Sequence, residues 1–407
     1  MTERAECEIL VAGTGPVGLI AALAFAEAGF DVVLVGPQPN LEDGRTTAIM
    51  DPAARYLGDL GLGPVLEEEA EALRTMRIVD ATSRLVRSPT VTFRAAEIGL
   101  EAFGLNIPNA KLNAALGSAV ETSAAIEHRQ GMVEGWRHDG NRAVALLADG
   151  SELSSRLVVA ADGRNSPARA AAGIDVDVRP TGQTAIVLTF AHSRGHGGIS
   201  TEFHTQSGPF TQVPLKGQRS SLVWVVKTDE APAILALDRT ELGRRVEAMM
   251  QSMLGRVDVE VDPQAYPLAT SSPKRFARDR IALIGEAAHI FPPIGAQGLN
   301  LGIRDVQNLV TIARRHRDDP GTDEALSAYE AKRRPDIAMR SNAVNLLNRS
   351  LLSDFLPAQL ARSTVFEMLR TLSPARAFFM HEGIRPGSGL RGLFSFRTRD
   401  RSAADRS

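Results

Sequence analysis

The amino-terminal end of the chain follows a strand–turn–helix–strand pattern. Residues 8–13 (EILVAG) form an apolar run of strand length, residues 16–29 are alanine-rich and end in glycine, and residues 31–36 (DVVLVG) are β-branched. Two strands joined by a helix in this way pair side by side in a parallel sheet. The pattern therefore predicts an α/β fold in which the first helix packs against a parallel sheet.

The turn between the first strand and the helix has the sequence GTGPVG. Gly13 permits a tight turn, Gly15 lets the backbone approach a diphosphate, and Gly18 allows the helix to pack closely on the strand. Pro16 opens the helix, whose free N–H groups would point at the ligand. A glycine-rich turn without a ligand is the alternative. The flanking strand and helix favour a dinucleotide-binding site.

One element of such a site is missing. The second strand ends at Gly36, where an Asp or Glu normally binds the adenosine ribose, and Gln38 and Asp43 are the nearby candidates to replace it. A second GxGxxG pattern, at residues 387–392, follows Arg-Pro rather than a strand, so we interpret it as a loop. The sequence therefore predicts no second dinucleotide fold for a nicotinamide cofactor.

Composition and charge exclude other classes of protein. Lys and Arg number 46 against 48 Asp and Glu, a net charge of −2 that argues against a nucleic-acid binder. The single cysteine, Cys7, excludes an intrachain disulfide and fits a reducing, cytoplasmic setting. Residues 9–26 carry no charge and are long enough to suggest a membrane span or signal peptide. The acidic leader and the glycines favour a buried strand and helix instead.

Two further motifs place a carboxylate at the end of a buried strand. The sequence ADGRNS contains Asp162 and precedes Arg169, although an Asp-Gly pair alone is also an ordinary turn signal. In the other motif, residues 285–305, Glu286 follows a strand, a proline–glycine loop comes next, and a helix starts near Gly298. The N-terminal amides of that helix suit an anionic ring or a carbonyl oxygen.

The middle of the chain has a different pattern. Between residues 176 and 270, short strand-like segments alternate with Gly, Pro and Lys-Gly turns, which indicates an antiparallel sheet inserted into the first domain. Further strands are predicted at 77–80 and 90–93. Helices are predicted over residues 53–76, 109–127, 298–317 and 323–372.

The order of the three motifs along residues 9–305 resembles that of the flavin-dependent aromatic hydroxylases, the class of 4-hydroxybenzoate hydroxylase. Within this class the chain is most similar to the ubiquinone-biosynthesis hydroxylases, and GPFTQVPL, SSLVWVV and YEAKRRPD extend the resemblance over most of the chain. It implies a doubly wound Rossmann-like FAD-binding domain with an inserted antiparallel β-sheet substrate domain and C-terminal helices. The domains implied are FAD-binding at 1–75, 100–175 and 271–372, substrate-binding at 76–99 and 176–270, and a partly disordered C-terminal tail at 373–407.

The resemblance also implies a set of cofactor contacts. The residues are Gly13, Gly15, Pro16, Gly18, Arg45, Asp162, Gly285, Glu286, Gly298, Leu299 and Asn300. The glycines of the first turn would hold the FAD diphosphate, and Arg45 would lie near the adenosine or phosphate side. Asp162 would lie beside flavin and nicotinamide, and Glu286 would bond ribitol hydroxyls. The backbone amides of 298–300 would meet the pyrimidine edge of the flavin.

By the same resemblance, the protein is expected to be an FAD-dependent monooxygenase that hydroxylates a phenolic ring. NADH or NADPH would reduce the flavin, and oxygen would form a hydroperoxide whose distal oxygen transfers to the ring. Pro292 and Pro293, the expected catalytic positions, would line the face where oxygen reacts. The chain has three tyrosines, none convincingly placed in the pocket strands, so the sequence does not identify the group that activates the phenol.

The preferred substrate is a polyprenyl phenol intermediate of ubiquinone biosynthesis. A small soluble aromatic is the alternative, and a non-catalytic flavoprotein that acts as an assembly partner is a third reading. Expected partners are a lipophilic phenol and molecular oxygen, with peripheral contact to the inner membrane or a biosynthetic complex and no nucleic acid. The apolar residues within 344–369 would pack on the flavin domain, cap a tunnel or touch a membrane.

Aromatic and basic residues interleave near the C-terminus, a pattern that suits an anionic lipid surface. They are Phe378, Phe379, Leu393, Phe394 and Phe396, with Arg376, Arg385, Arg391, Arg397 and Arg399.

Three histidines invite a chemical interpretation. His289 either transfers protons near neutral pH or braces the loop, and bracing is preferred because the resemblance gives it no proton-transfer role. His192 and His196 are four residues apart, as in some metal sites. The neighbouring glycines disfavour a helix and no carboxylate follows at metal-motif spacing, so no metal is expected.

Overall fold

The structure, a computed structural model, describes residues 4–83, 87–293, 297–352 and 356–384. Numbered along the chain, the strands in these ranges are β1 (Arg4–Ala12), β2 (Val32–Gly36), β3 (Thr46–Met50), β4 (Glu71–Leu73), β5 (Thr75–Asp80), β6 (Val91–Arg94), β7 (Gly104–Pro108), β8 (Ile126–Gln130), β9 (Val133–Asp139), β10 (Arg142–Leu147), β11 (Glu152–Ala160), β12 (Val176–His192), β13 (Ile199–His204), β14 (Pro209–Leu215), β15 (Arg219–Lys227), β16 (Val257–Val259), β17 (Gln264–Pro273), β18 (Ala277–Arg278) and β19 (Ile281–Leu283). The helices are α1 (Pro16–Glu27), α2 (Asp51–Leu57), α3 (Gly63–Glu69), α4 (Asn109–Thr122), α5 (Pro167–Ala171), α6 (Ala231–Leu235), α7 (Arg239–Met249), α8 (Gln297–Arg315), α9 (Asp323–Leu352), α10 (Leu356–Thr371) and α11 (Ser373–Ile384).

The first sheet has the order β18-β19-β11-β1-β2-β8, and β10 and β9 extend it from β11. Its five strands from β19 to β8 run parallel, with Ile9 paired to Val32 on one side and to Leu157 on the other. All five residues of β2 are buried, as expected for a parallel strand covered on both faces. Helix α1 is buried along 18–25, because it lies between the sheet and helices α4 and α8. The predicted α/β fold is confirmed.

The second sheet has the order β16-β12-β15-β14-β13-β5-β6, and β17 also pairs with β12. All strand pairs within residues 176–273 are antiparallel, as predicted, and β5 extends this sheet by pairing in parallel with β13. One face buries Phe190, Leu222 and Trp224 against Leu242 and Val246 of α7. The opposite face is turned toward the rest of the protein.

A small third sheet, β3-β7-β4, joins the two larger ones. At one end Thr46 Oγ1 donates to Ser221 Oγ of the second sheet at 2.8 Å. At the other end Asn300, in the first turn of α8, accepts from the Met50 N–H and donates to the Ala48 carbonyl, both at 2.8 Å. Strand β3 therefore links the second sheet to the N-terminus of α8.

Several predicted helices differ from the observed ones. The helix predicted over 53–76 ends at Glu69, because Glu71–Leu73 pairs with β7 as a strand. Helices α6 and α7 lie inside the segment predicted to be only strands. The Asp238 side chain accepts from the Glu241 N–H at 2.8 Å and caps α7, a helix-start signal that the strand pattern obscured.

The C-terminal helices cover one end of the second sheet. Phe366 and Leu369 of α10 pack with Val91, and Ala377 and Met380 of α11 pack in a neighbouring cluster. Part of the segment assigned to the C-terminal tail is thus helical, whereas 385–407 and the second GxGxxG pattern lie outside the described residues. No helix in the described ranges is long and apolar enough to cross a membrane.

Candidate functional site

Two glycines of the first turn are required by the packing of the protein itself. Gly13 has a φ of 110°, and a Cβ there would lie 2.3 Å from the carbonyl oxygen of Ala161. A Cβ on Gly18 would lie 1.9 Å from the carbonyl oxygen of Gly13. Any side chain at these positions therefore pushes strand, turn and helix apart.

Gly15 is different, because no protein atom lies within 4 Å of the place its Cβ would occupy. Its backbone (φ −69°, ψ 169°) is one that any residue adopts. It is the N-cap of α1, which has no side-chain cap and no acidic residue in its first turn. The uncovered N–H groups and the empty space beside Gly15 form a cradle suited to a diphosphate.

Position 36 has no room for the Asp or Glu that normally binds the adenosine ribose. A Cβ at Gly36 would lie 2.7 Å from Cγ2 of Thr14, whose hydroxyl donates to the Pro37 carbonyl at 2.6 Å. Of the two predicted replacements, Asp43 is occupied, since it accepts hydrogen bonds from Arg45 and from Asn109. Although burial opposes it, these bonds lower the pKa of Asp43. Gln38 is exposed.

Asp162 has one oxygen available for a ligand. It lies just beyond β11, where Oδ2 accepts from the Ala168 N–H at 2.9 Å while Oδ1 is buried with no hydrogen-bond partner. Burial raises its pKa. Arg169 donates to the carbonyls of Arg164 and Ala287, both at 2.9 Å, and so joins the second motif to the third.

Arg45 and Glu286 lie on the rim of this region. The Arg45 guanidinium bonds Asp43 and lies 5.3 Å from the Tyr266 ring centroid. The hydrogen bond to Asp43 raises the pKa of Arg45, and the charge of Glu286 adds to this effect. The Glu286 side chain is 54% exposed, with Arg164 Nε at 3.9 Å. Its carboxylate is therefore accessible to a ligand.

The third motif contains the start of a second helix, α8. Gly285 takes a φ of 59°, Pro292 is buried and Pro293 is exposed, whereas 294–296 lie outside the described residues. Gly298 is exposed with no protein atom within 4 Å of its Cβ position, and α8 has no acidic residue in its first turn. Leu299 is half-buried, and the Asn300 side chain is used to hold β3.

A buried ion network fixes the third motif. His289 Nε2 lies 2.7 Å from Asp305 Oδ2, which also accepts from the Gly285 N–H at 2.9 Å. Arg333 Nη2 lies 2.6 Å from Asp305 Oδ1, and Arg333 also bonds Asp336. His289 thus braces the loop. Sequence reasoning missed Asp305 and Arg333 as a pair, because the two residues lie on different helices.

The two other histidines have structural contacts. His192 lies 2.8 Å from the Arg194 carbonyl and 3.0 Å from Ser220 Oγ, and His196 lies 2.9 Å from the Leu215 carbonyl. Within the described ranges, no three His, Cys, Asp or Glu side chains cluster as a metal site would require.

The open face of the second sheet carries one row of half-buried residues. The row crosses the strands in the order β13, β14, β15, β12 and β17, and each strand contributes one residue that lies directly opposite the next. These residues are, in the same order, Glu202, Thr211, Val223, Val187 and Gln264. Ser221, on the same face as Val223, is the residue that β3 contacts. This chamber face, defined by the row, is apolar at its centre and polar at both ends, as small-molecule sites usually are.

Comparison with known proteins decides the family. Residues 6–341 match the family model described as "FAD binding domain". The chain belongs to this FAD-binding family. Ubiquinone hydroxylase UbiL of Rhodospirillum rubrum is 34% identical over 93% of this chain and 89% of its own. The 3-demethoxyubiquinol 3-hydroxylase of Escherichia coli is 27% identical over 88% and 93%.

Solved structures show the same fold. PqsL of P. aeruginosa with 2-aminobenzoylacetate has a TM-score of 0.75 at 23% identity, covering 89% of this chain and 100% of its own. HpxO of Klebsiella pneumoniae with FAD and uric acid has a TM-score of 0.73 at 20% identity, covering 94% and 96%. The predicted aromatic-hydroxylase class, FAD cofactor, monooxygenase activity and small aromatic substrate are confirmed. The individual site residues stay predictions.

The residues present fit FAD. The open space at Gly15, the two helix N-termini without acidic residues and the unpaired Oδ1 of Asp162 are features that a bound dinucleotide would complete. NAD(P)H is the co-substrate typical of this family.

Proposed function

We propose that the protein hydroxylates the phenolic ring of a polyprenylated intermediate of ubiquinone biosynthesis, with NAD(P)H and oxygen as co-substrates. The observation that carries the proposal is the chamber face, whose centre is apolar and which β3 joins to the N-terminus of α8. The names of the two relatives support this substrate class. Half-buried Val187 and Val223 suit an aromatic ring and the first carbons of a tail.

FAD, when bound, supplies hydride acceptance and oxygen activation, and the protein supplies binding and orientation. In this proposal Gly13, Gly15, Pro16 and Gly18 hold the diphosphate at the start of α1. Gly285 makes the tight turn that presents Glu286 to the ribitol hydroxyls. Arg45 and Asp162 would lie beside the cofactor.

The start of α8 orients the flavin ring. The backbone N–H groups of Gly298, Leu299 and Asn300 would donate to the pyrimidine edge, and the Asn300 side chain holds them in register with β3. Pro292 and Pro293 lack an N–H donor, so they would present a rigid apolar wall that holds no ordered water.

The exposed apolar side chains of α10 and α11 favour delivery of the substrate from a membrane surface. They are Val365, Met368, Leu372 and Phe379. Among the described residues, two arginines of these helices are paired with carboxylates, Arg370 with Glu367 and Arg376 with Glu97 at 2.6 Å. The contact would therefore depend on apolar insertion more than on charge. Binding of the protein to neutral and to anionic liposomes tests this step. A protein that binds neither kind of liposome would contradict it.

The proposed function is tested with a matched pair of substrates, a phenol with a short prenyl tail and the same phenol without it. The FAD-loaded protein should convert the prenylated phenol with the higher kcat/KM and yield a hydroxylated product. Each buried methylene contributes about 0.8 kcal/mol, so even a short tail raises affinity strongly. Equal kcat/KM for the two phenols would indicate a soluble-aromatic hydroxylase instead. Bound FAD without any hydroxylated product would favour an assembly partner.

A further inference from the structure

One end of the chamber face carries a carboxylate paired with a buried histidine. Glu202 is half-buried, and its Oε1 lies 2.8 Å from Nε2 of His204. His204 is buried under Phe366 of α10, with ring centroids 5.9 Å apart. Residues 202 and 204 are two apart on one strand, so both side chains project from the same face. This is the face that contains the apolar row.

The Glu202 carboxylate has capacity for another hydrogen bond. His204 contacts Oε1, and Thr211 Oγ1 donates to Oε2 at a long 3.4 Å. A carboxylate accepts about four hydrogen bonds, so Oε2 can accept a further one. With the histidine proton assigned to Nε2, His204 donates to Glu202 and fixes its orientation.

The tyrosines of this chain are engaged elsewhere. Tyr329 is buried and donates to the Leu283 carbonyl, and burial raises the pKa of Tyr56 to about 12. Tyr266 lies at the opposite end of the sheet, where it donates to Gln264 and contacts Arg45. None of the three lies beside the Glu202 end of the row.

The neighbouring carboxylate is also occupied. Asp80 of β5 lies opposite His204 in the strand register. It accepts hydrogen bonds from the backbone N–H groups of Thr82 and Ser88 and from the Thr82 hydroxyl. Glu202 is therefore the carboxylate at this end of the chamber face that retains capacity for a further hydrogen bond.

We propose that Glu202 binds the phenol hydroxyl of the substrate and accepts its proton, with His204 as its positioning residue. The phenol O–H bond breaks and an O–H bond forms on Glu202 Oε2, which leaves the electron pair on the ring oxygen. The ring thereby becomes more electron-rich for oxygen transfer, and the carboxyl then returns its proton to solvent. This inference rests on the proposed function, because it requires a phenolic substrate on the chamber face.

The test compares a short-chain prenylated phenol with its methyl ether, which cannot donate a hydrogen bond. Binding is followed by the absorbance change of the oxidised FAD-loaded protein. The wild type should bind the phenol about ten- to a hundredfold tighter than the ether, the range of a charge-assisted hydrogen bond. Glu202→Gln should lose most of this preference while its affinity for the ether is unchanged. Its hydroxylation rate should fall about a hundredfold or more, as expected for loss of a general base.

Two variants separate this role from a structural one. Glu260→Gln removes a carboxylate of the same sheet that pairs with Arg219 at the surface, and it should keep the full preference for the phenol. Glu202→Asp, which retains the charge, should restore part of it. A Glu202→Gln protein that keeps wild-type preference and rate would overturn the proposal. If that variant fails to fold, equal binding of phenol and ether by the wild type would overturn it alone.

The two levels of failure are distinguishable. Absence of hydroxylated product from the wild type with either the prenylated or the tail-less phenol would reject the proposed function. Product formation by the wild type, with no dependence on Glu202, would reject only the assignment of this residue.

Discussion

The FAD cradle and the chamber face use different chemistry to meet their ligands. In the cradle we expect recognition mainly by backbone groups, since the three glycines stand close together in sequence and Gly15 leaves space for a ligand. On the chamber face the proposed contacts are side chains from five strands, spread over residues 187–264. A backbone site of this kind can be recognised in the sequence by the spacing of its glycines. A sheet face assembled from distant strands has no such local pattern.

The largest effect is expected from Gly15. Gly15→Val should fold normally, because its backbone conformation suits valine and no protein atom lies within 4 Å of its Cβ position, yet it should lose FAD completely. Gly18→Ala is the contrasting variant, since its Cβ would lie 1.9 Å from a carbonyl oxygen and should destabilise the protein itself. Flavin content after purification and thermal unfolding of the apoproteins separate the two. Stoichiometric FAD in Gly15→Val would contradict the cradle.

The buried network behind the cradle should have the next largest effect. Arg333→Met removes the guanidinium that pairs with the buried Asp305 carboxylate and leaves His289 as its other ionic partner, which costs about 3–5 kcal/mol in the free energy of unfolding. Arg334→Met, at an exposed neighbouring position, is the control and should cost less than about 1 kcal/mol. Urea unfolding of both variants measures the difference, and similar values would mean that the buried pair contributes nothing.

This network also sets an acid limit on stability. Burial alone would raise the pKa of Asp305, but the charges of Arg333 and His289 outweigh it and lower that pKa. Stability from this carboxylate is therefore present above its ordinary pKa and is lost as the pH falls through the lowered value. Asp305→Asn should flatten that acid limb of the stability curve, measured by urea unfolding across the acid pH range, relative to the wild type.

Variants of Glu286 test whether a side chain contributes to FAD affinity. Glu286→Ala should weaken FAD binding about ten- to a hundredfold, the effect of one lost charge-assisted hydrogen bond of about 1.5–3 kcal/mol. Glu286→Asp should be milder because it retains the carboxylate. Fluorescence titration of the apoprotein with FAD measures both affinities. Wild-type affinity in the alanine variant would mean that Glu286 does not contact the ribitol.

The smallest effect is expected from Val223, at the apolar centre of the chamber face. Val223→Thr puts a hydroxyl in the apolar row and should raise the KM for a prenylated phenol about five- to tenfold, near the loss of one to two buried methylenes. FAD content should not change. Val178→Thr, at an exposed position of β12, is the matched control and should leave KM unaltered. Equal KM values for the two variants would mean that the phenol ring of the substrate does not bind beside Val223.

Sequence reasoning recovered what is encoded locally. The first turn, the α/β fold and the helix at 297–315 followed from glycine spacing and apolar runs. It failed where tertiary pairing decides, as at Glu71–Leu73, a short strand that forms only because β7 lies beside it. The Thr14–Gly36 contact and the Asp305–Arg333 pair join residues 22 and 28 positions apart, so no local pattern reveals them.

The most direct test of the account uses isotopically labelled oxygen. The FAD-loaded protein is incubated with NAD(P)H, a prenylated phenol and ¹⁸O₂, and the product is analysed by mass spectrometry. The account predicts one labelled oxygen atom on the phenol ring. Oxidation of NAD(P)H that yields only hydrogen peroxide, with the phenol unchanged, would contradict it.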